Sequence, residues 1–99
     1  MAEVIWSREA QEDLLAIREY IARDSVVIAD RVLDDLVAAT ERLIAFPLSG
    51  RVVEELEKDG VREVIFPPYH IAHRVTGDVV EILKVWHGKR MLRPEEFRS

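Results

Sequence analysis

The side chains best suited to acid–base chemistry lie near the C-terminus of this 99-residue chain, between His87 and Arg90. A histidine takes up and releases protons near neutral pH, so His87 is a candidate general acid or base for cleaving a phosphodiester. That reaction also needs a cation to stabilise the developing anion, and Arg90 is the first candidate, with Arg74 as the second. The competing interpretation, which we favour, is structural: His87 ends a strand and hydrogen-bonds to backbone.

Positive charge is concentrated around this histidine. Four cations fall within ten residues that contain no acid, although the whole chain has a net charge of −5. Residues 1–50 hold five Arg against ten Asp or Glu, whereas residues 51–99 hold nine basic and nine acidic side chains. Each phosphate contact needs a cation, so an acidic chain is not expected to bind nucleic acid directly, although a local basic site remains open. The candidate binding residues are Lys84, His87, Lys89, Arg90 and Arg93.

The sequence indicates neither a metal site nor a cofactor site. His70 and His73 are three residues apart in one predicted strand, so their side chains should point to opposite faces and not share a metal ion. His73 is predicted to be a partly buried packing residue with a hydrogen-bonded nitrogen. The chain has no cysteine, and it lacks the nucleophile-elbow, P-loop, dinucleotide-binding and zincin motifs. We therefore expect no bound cofactor.

A predicted β-hairpin positions the candidate residues. Its strands are Tyr69–Val75 and Val79–Arg90, and the turn Thr76–Asp78 contains a glycine that can adopt positive φ. The second strand is rich in β-branched and bulky residues, which is typical of a strand buried on at least one face. Alternation along it predicts that Trp86 lies in the core together with Ile82.

Two helices are predicted upstream of the hairpin. The apolar run Val4–Trp6 predicts an edge strand, and Ser7 after it is a good N-cap. Asp24–Ser25 interrupts the first helical pattern and can cap a second helix, which Pro47 ends. The two apolar stripes are Ala10, Leu14, Ile17 and Ile21, followed by Ala29, Val32, Leu33, Leu36, Leu43 and Ile44.

The remaining segments complete an α+β domain. Glu54–Gly60 is too charged to be buried and predicts a surface loop or helical turn, and Val61–Phe66 predicts a strand closed by Pro67–Pro68. The pattern predicts one domain over residues 1–99, with an N-terminal strand and an antiparallel helical hairpin packed on a small, mostly antiparallel sheet. No apolar run approaches the roughly 18 residues of a membrane span, and the first residues carry too many charges for a signal peptide. We expect a cytoplasmic protein.

These elements and their order resemble the ParE/RelE family, the toxins of bacterial type II toxin–antitoxin pairs. The resemblance is carried by the Tyr69–Val75 strand, the Gly77-Asp78 turn and the closing Trp86–Arg90 segment. It extends upstream through Val4–Ser7, the helices and the Phe46–Arg51 loop, and so covers most of the chain. The resemblance implies the RelE/ParE-like fold.

The family has two branches with different targets. RelE-like members cleave messenger RNA in the ribosome, using Lys and Arg on the sheet with a Tyr, or a His and a Glu, near the C-terminus. Arg90 matches an arginine of that branch, but His70 stands where an arginine is expected, and Val61–Val64 stands where lysines are expected. Glu63 within that segment would repel a phosphate. These departures favour the ParE-like branch, which poisons DNA gyrase by protein–protein contact and has no known catalytic residues.

The resemblance therefore implies a toxin that binds a cognate antitoxin and DNA gyrase, with the cationic segment contacting either the antitoxin or the target. Two alternatives remain open. One is a ribosome-dependent endoribonuclease that uses His87 and Arg90, with Arg74. The other is a degenerate module that binds an antitoxin and has lost its target.

Overall fold

The computed structural model describes residues 1–90. The elements in chain order are β1 (Glu3–Trp6), α1 (Arg8–Ala22), α2 (Val26–Ala39), α3 (Arg42–Ala45), β2 (Arg51–Val52), a 3₁₀ segment (Glu54–Asp59), β3 (Val61–Phe66), β4 (Tyr69–Thr76) and β5 (Val79–His87). The strands form one sheet in the order β1-β5-β4-β3-β2, in which β1 runs parallel to β5 and the other neighbours are antiparallel. The predicted α+β class and mostly antiparallel sheet are confirmed.

The two long helices begin at the predicted serine caps. The Ser7 hydroxyl accepts a hydrogen bond from the Ala10 amide at 3.1 Å, and the Ser25 hydroxyl accepts one from the Ile28 amide at 3.2 Å. Each bond satisfies one of the amides that a helix N-terminus leaves without an intrahelical partner. The helices then cover one face of the sheet. The core between them consists of Ala10, Leu36, Leu43, Val64, Ile71, Val80, Ile82 and Val85.

The second helical segment is shorter than predicted. The sequence predicts one helix ending near Pro47, but α2 ends at Ala39 and a separate short helix, α3, starts at Arg42. The buried Thr40 hydroxyl donates a hydrogen bond to the Val37 carbonyl at 2.7 Å. A side chain that bonds its own backbone in this way competes with a regular helical ladder.

The pairing of β4 with β5 contains a register shift that changes the environment of Trp86. Ala72 pairs with Lys84 whereas His73 pairs with Ile82, so β5 holds one extra residue at this point. An extra residue moves the side chains beyond it to the opposite face. The prediction that Trp86 lies in the main core with Ile82 is therefore wrong.

Trp86 is instead half-buried on the opposite face of the sheet. There it packs against a smaller cluster formed by Leu56, Val61 and Ala72. Leu56 comes from the 3₁₀ segment, which thus covers part of the sheet face that the helices leave open. No helix within residues 1–90 is long and apolar enough to cross a membrane.

Candidate functional site

His87 is exposed at the end of β5, and its Nδ1 is engaged by backbone. The Lys89 amide donates a hydrogen bond to His87 Nδ1 at 3.1 Å. The ring also packs edge-to-face against Tyr69, with centroids 5.7 Å apart and planes at 78°. Because Nδ1 accepts a hydrogen bond, the neutral ring carries its proton on Nε2. The neutral His87 ring can therefore donate a hydrogen bond from Nε2, but Nδ1 could accept a proton only after losing the hydrogen bond from the Lys89 amide.

The structure keeps Arg90 beside His87 and places Arg74 elsewhere. The Arg90 amide donates to the His87 carbonyl at 2.9 Å, which closes a tight turn. His87 pairs with Tyr69 at one end of β4, whereas Arg74 lies five positions further along that strand. At roughly 3.3 Å per residue, the separation along β4 is about 16 Å. The Arg74 Nε donates to the Asp59 carbonyl at 3.0 Å, so its guanidinium supports the 3₁₀ segment.

Lys84 belongs to an internal ion pair. It is 5 % exposed, and its Nζ lies 2.7 Å from Glu9 Oε1 and 4.0 Å from Asp13 Oδ1. Burial raises the pKa of Asp13 above 3.8, while the Val85 amide, Lys84 and Arg90 act in the opposite direction. The charge of Lys84 therefore serves to bind α1 to β5 and is not available on the surface.

The predicted binding residues thus separate into three groups. His87, Lys89 and Arg90 are exposed and adjacent at the end of β5. Lys84 is buried against α1, and Arg93 lies outside the described residues.

The open face of the sheet carries a polar cluster that no local pattern in the sequence indicates. Glu63 is only 6 % exposed, and its Oε1 accepts hydrogen bonds from Arg51 Nε at 3.1 Å and Nη2 at 2.5 Å. Its Oε2 lies 3.2 Å from His70 Nδ1, and the His70 ring stacks on Trp86 with centroids 5.3 Å apart. Because a carboxylate only accepts hydrogen bonds, Glu63 fixes the His70 proton on Nδ1. Arg51 and Glu63 are directly paired on β2 and β3. The sequence does not reveal this pairing, because β2 has only two residues and so shows no periodicity.

His73 is fully buried, and the predicted hydrogen-bonded nitrogen is not observed. Among the described residues, no partner forms a hydrogen bond of standard geometry with either ring nitrogen, although the Pro47 carbonyl is near enough to favour a ring proton. Burial, with smaller contributions from Arg62 and Arg42, lowers the pKa of His73 from 6.5 to about 4. The ring is therefore neutral at pH 7. Within residues 1–90, no group of three or more His, Asp or Glu side chains could hold a metal ion.

The comparisons with known proteins identify the family. A family model described as the ParE toxin of the type II toxin–antitoxin system parDE matches residues 4–92. The chain belongs to this toxin family. The curated Toxin RelE2 of Caulobacter vibrioides is 36 % identical over 92 residues, covering 92 % of this chain and all of the relative. Toxin ParE3 of the same organism is 30 % identical over 93 residues, covering 93 % of this chain and 92 % of the relative.

A solved structure agrees with this assignment. The chromosomal ParDE toxin–antitoxin system from P. aeruginosa contains a chain that superposes with a TM-score of 0.74 at 28 % identity. The match covers 88 % of this chain and 96 % of that one. The protein is thus a toxin of a type II toxin–antitoxin system with the ParE/RelE-like fold. The two curated relatives carry names from both branches of the family.

Proposed function

We propose that the toxin inhibits DNA gyrase by protein–protein contact and is neutralised by a cognate antitoxin. The observation that carries this proposal is the dispersal of the candidate ribonuclease residues. His87 and Arg90 lie together, but Arg74 is about 16 Å away along β4. General acid–base catalysis needs its groups within hydrogen-bond reach of one substrate, and Arg74 cannot meet that requirement together with His87.

The charge distribution supports the same proposal. An enzyme that holds messenger RNA needs accessible cations along the path of the phosphates. Here Lys84 is neutralised by Glu9, and the open face of the sheet holds the buried Glu63 carboxylate. The net charge of −5 also disfavours a polyanionic substrate.

A cognate antitoxin fits the outer surface of the helices. α2 exposes several large apolar side chains, which are Val26, Val27, Ile28 and Val37. Exposed apolar groups along one helix are typical of surfaces that receive an amphipathic segment from a partner. The solved relative is described as a ParDE toxin–antitoxin system, which supports a partner of this class for the present chain. Gyrase and the ribosome both work in the cytoplasm, so we place the toxin there.

The test separates gyrase from the ribosome. The toxin is induced in cells, and a DNA-damage reporter and the rate of protein synthesis are followed over the same minutes. In parallel, the purified toxin is added to DNA supercoiling by gyrase and to a translation reaction in which cleavage of messenger RNA is monitored.

We expect DNA damage to precede the loss of translation, and supercoiling to be inhibited without cleavage of messenger RNA. Ribosome-dependent cleavage in the absence of any effect on gyrase would reject the proposal and assign the toxin to the branch that its relative RelE2 is named for. A chain that binds its antitoxin and affects neither target would be a degenerate toxin.

A further inference from the structure

Two rings from neighbouring strands meet where β5 ends, and a third aromatic residue lies nearby on α1. Tyr69 and His87 face each other across β4 and β5, with ring centroids 5.7 Å apart. Tyr20, in the last turns of α1, is 69 % exposed. The pKa of Tyr69 is raised above 10.0, mainly by burial and also by the nearby Tyr20. Tyr20 on α1 thus lies near the Tyr69–His87 ring pair, so one helix and two strands contribute aromatic residues to this end of the sheet.

Cations lie on both sides of these rings. The Arg23 guanidinium lies over the Tyr20 ring, 5.3 Å from its centroid, and Lys89 is exposed next to His87. We call Tyr20, Arg23, Tyr69, His87 and Lys89 the sheet-end surface. Tyrosine and arginine are enriched among the residues that dominate the binding energy of protein interfaces, because they combine a large contact area with a polar end.

Every polar side chain of the sheet-end surface can donate a hydrogen bond, and two of them, Arg23 and Lys89, are cations. The phenol of Tyr69 keeps its proton at neutral pH, and the side chains of Arg23 and Lys89 have no acceptor atom. The His87 ring uses its Nδ1 acceptor on the Lys89 amide, which leaves the Nε2 proton as a donor. Two cations beside several hydrogen-bond donors are complementary to carboxylate groups.

We infer that the sheet-end surface is the part of the toxin that contacts its target, and that it binds a carboxylate-bearing segment of that target protein. This inference rests on the proposed function, because it treats gyrase as the protein that is bound. It adds Tyr20, Arg23 and Tyr69 to the exposed cations at the end of β5.

The charges around the surface favour a protein over DNA. The exposed Glu12 and Glu19 lie on the same helix as Tyr20, and residues 1–50 have a balance of −5. Duplex DNA presents a dense array of phosphates and would be repelled by these acids. A short acidic segment of a folded protein can instead reach the donors without approaching the rest of α1.

The test compares two exposed aromatic residues. Tyr20→Ala removes the ring of the sheet-end surface, and Phe46→Ala removes a ring that is 68 % exposed, close to the 69 % of Tyr20, at the end of α3. Three quantities are measured: inhibition of supercoiling by purified gyrase holoenzyme, growth arrest in cells, and affinity for the cognate antitoxin. We expect Tyr20→Ala to weaken inhibition and growth arrest about 10-fold or more, and Phe46→Ala to change both less than about 2-fold. Antitoxin affinity should stay within about 2-fold for both variants.

A charge variant tests the chemistry of the partner. Lys89→Glu should weaken gyrase inhibition more than Lys89→Gln, since only the glutamate repels a carboxylate. Binding of the wild-type toxin to a short labelled DNA duplex is measured alongside. If the wild-type toxin binds this duplex and the Tyr20→Ala variant does not, the sheet-end surface recognises DNA and the inference is overturned.

The remaining outcomes are also decisive. Equal effects of Tyr20→Ala and Phe46→Ala on gyrase inhibition would reject the sheet-end surface as the target contact. If Tyr20→Ala lost antitoxin affinity and gyrase inhibition to the same extent, the surface would be assigned to the antitoxin. A wild-type chain that arrests growth without inhibiting gyrase would reject the proposed function alone, and growth arrest would then decide whether the surface contacts the target. A wild-type chain that neither inhibits gyrase nor arrests growth would reject both.

Discussion

The backbone amide of Val85 on β5 donates a hydrogen bond to the Asp13 carboxylate on α1, with 2.9 Å between nitrogen and Oδ2. β1 pairs with residues 79–82 of β5, so within residues 1–90 no strand neighbours the outer edge of β5 beyond Ile82. The Ser7 hydroxyl donates to the Leu83 carbonyl at 3.2 Å on the same edge. Side chains at the start of α1 thus occupy the place of a missing strand and satisfy backbone groups that would otherwise be unpaired.

Removing the Asp13 carboxylate should destabilise the toxin. Asp13→Ala leaves the Val85 amide without its acceptor, which we expect to lower the free energy of unfolding by about 1–3 kcal/mol in urea denaturation. Asp13→Asn keeps an acceptor oxygen and should cost less. The exposed Asp34 on α2 provides the control, because Asp34→Ala should change stability by less than about 0.5 kcal/mol. Equal stability of Asp13→Ala and Asp34→Ala would contradict the role of the bond.

The buried His73 should make the fold sensitive to acid. Its pKa is about 4 in the folded toxin, below the 6.5 of an exposed histidine, so the unfolded chain binds a proton first as the pH falls. The stability linked to His73 is therefore present above pH 6.5 and is lost as the pH falls towards 4. The difference between the two pKa values corresponds to about 3 kcal/mol.

Urea unfolding between pH 7 and pH 4 measures this dependence. His73→Leu should flatten the curve in that range relative to His87→Gln, a control in which the substituted histidine is exposed. An equally steep loss of stability in His73→Leu would show that other groups cause the acid sensitivity.

Gly50 should tolerate no side chain, because His73 fills the adjacent space. A Cβ added at Gly50 would overlap the His73 Cε1 and lie 2.9 Å from the Glu63 carbonyl oxygen. The backbone oxygen cannot move aside without disturbing β3, so we expect Gly50→Ala to cost about 1–3 kcal/mol in thermal or urea unfolding. Ser49→Ala, one residue earlier and exposed, is the control and should be nearly neutral. A Gly50→Ala variant as stable as Ser49→Ala would mean that the loop adjusts freely.

Toxicity should depend on the cations at the end of β5 more than on the imidazole of His87. The double change Lys89→Glu with Arg90→Glu reverses two exposed charges and should greatly reduce growth arrest while leaving the fold intact. His87→Gln should retain most of the toxicity. A ribonuclease would behave differently, since removing its acid–base group typically lowers the rate about 10²–10⁴-fold. A folded His87→Gln toxin that loses both toxicity and cleavage of messenger RNA would support the enzyme branch.

Co-expression with the antitoxin should raise both solubility and melting temperature, because a partner that binds only the folded toxin shifts the folding equilibrium by mass action. The exposed apolar side chains of α2, such as Val27 and Ile28, would be covered in the complex. Thermal unfolding of the free and bound toxin measures the effect. A free toxin whose melting temperature does not change on adding antitoxin would argue against a partner on this surface.

Local signals in the sequence predicted the elements of the fold. The serine caps, the helical stripes and the glycine turn between β4 and β5 each act over a few residues, so they can be recognised in the chain itself. The register shift opposite Ala72 could not be predicted, because one extra residue in β5 is fixed by packing against both faces of the sheet. For that reason, the alternation pattern predicts the wrong face of the sheet for Trp86.

The candidate site is harder to predict than the fold, because it also depends on contacts between residues that are distant in sequence. His87 and Lys89 are neighbours in sequence, and the structure keeps them together. Lys84 belongs to the same basic segment in sequence, but its ammonium group contacts Glu9, 75 residues away in the chain. Contacts between residues this distant depend on how the helices dock on the sheet, and charge patterning along the sequence does not report that docking.

The parallel pairing of β1 with β5 also affects when, during its synthesis, the toxin can become active. On the ribosome, β5 emerges after all the other elements described here, and β1 has no partner strand until then. The two long helices, α1 and α2, emerge much earlier. Their contacts with each other are local in sequence, so we expect them to form first. Proteolysis of stalled nascent chains would show whether they are protected before β1. An antitoxin that recognises α2 could thus engage the chain during synthesis, before the residues around His87 are in place to reach a target.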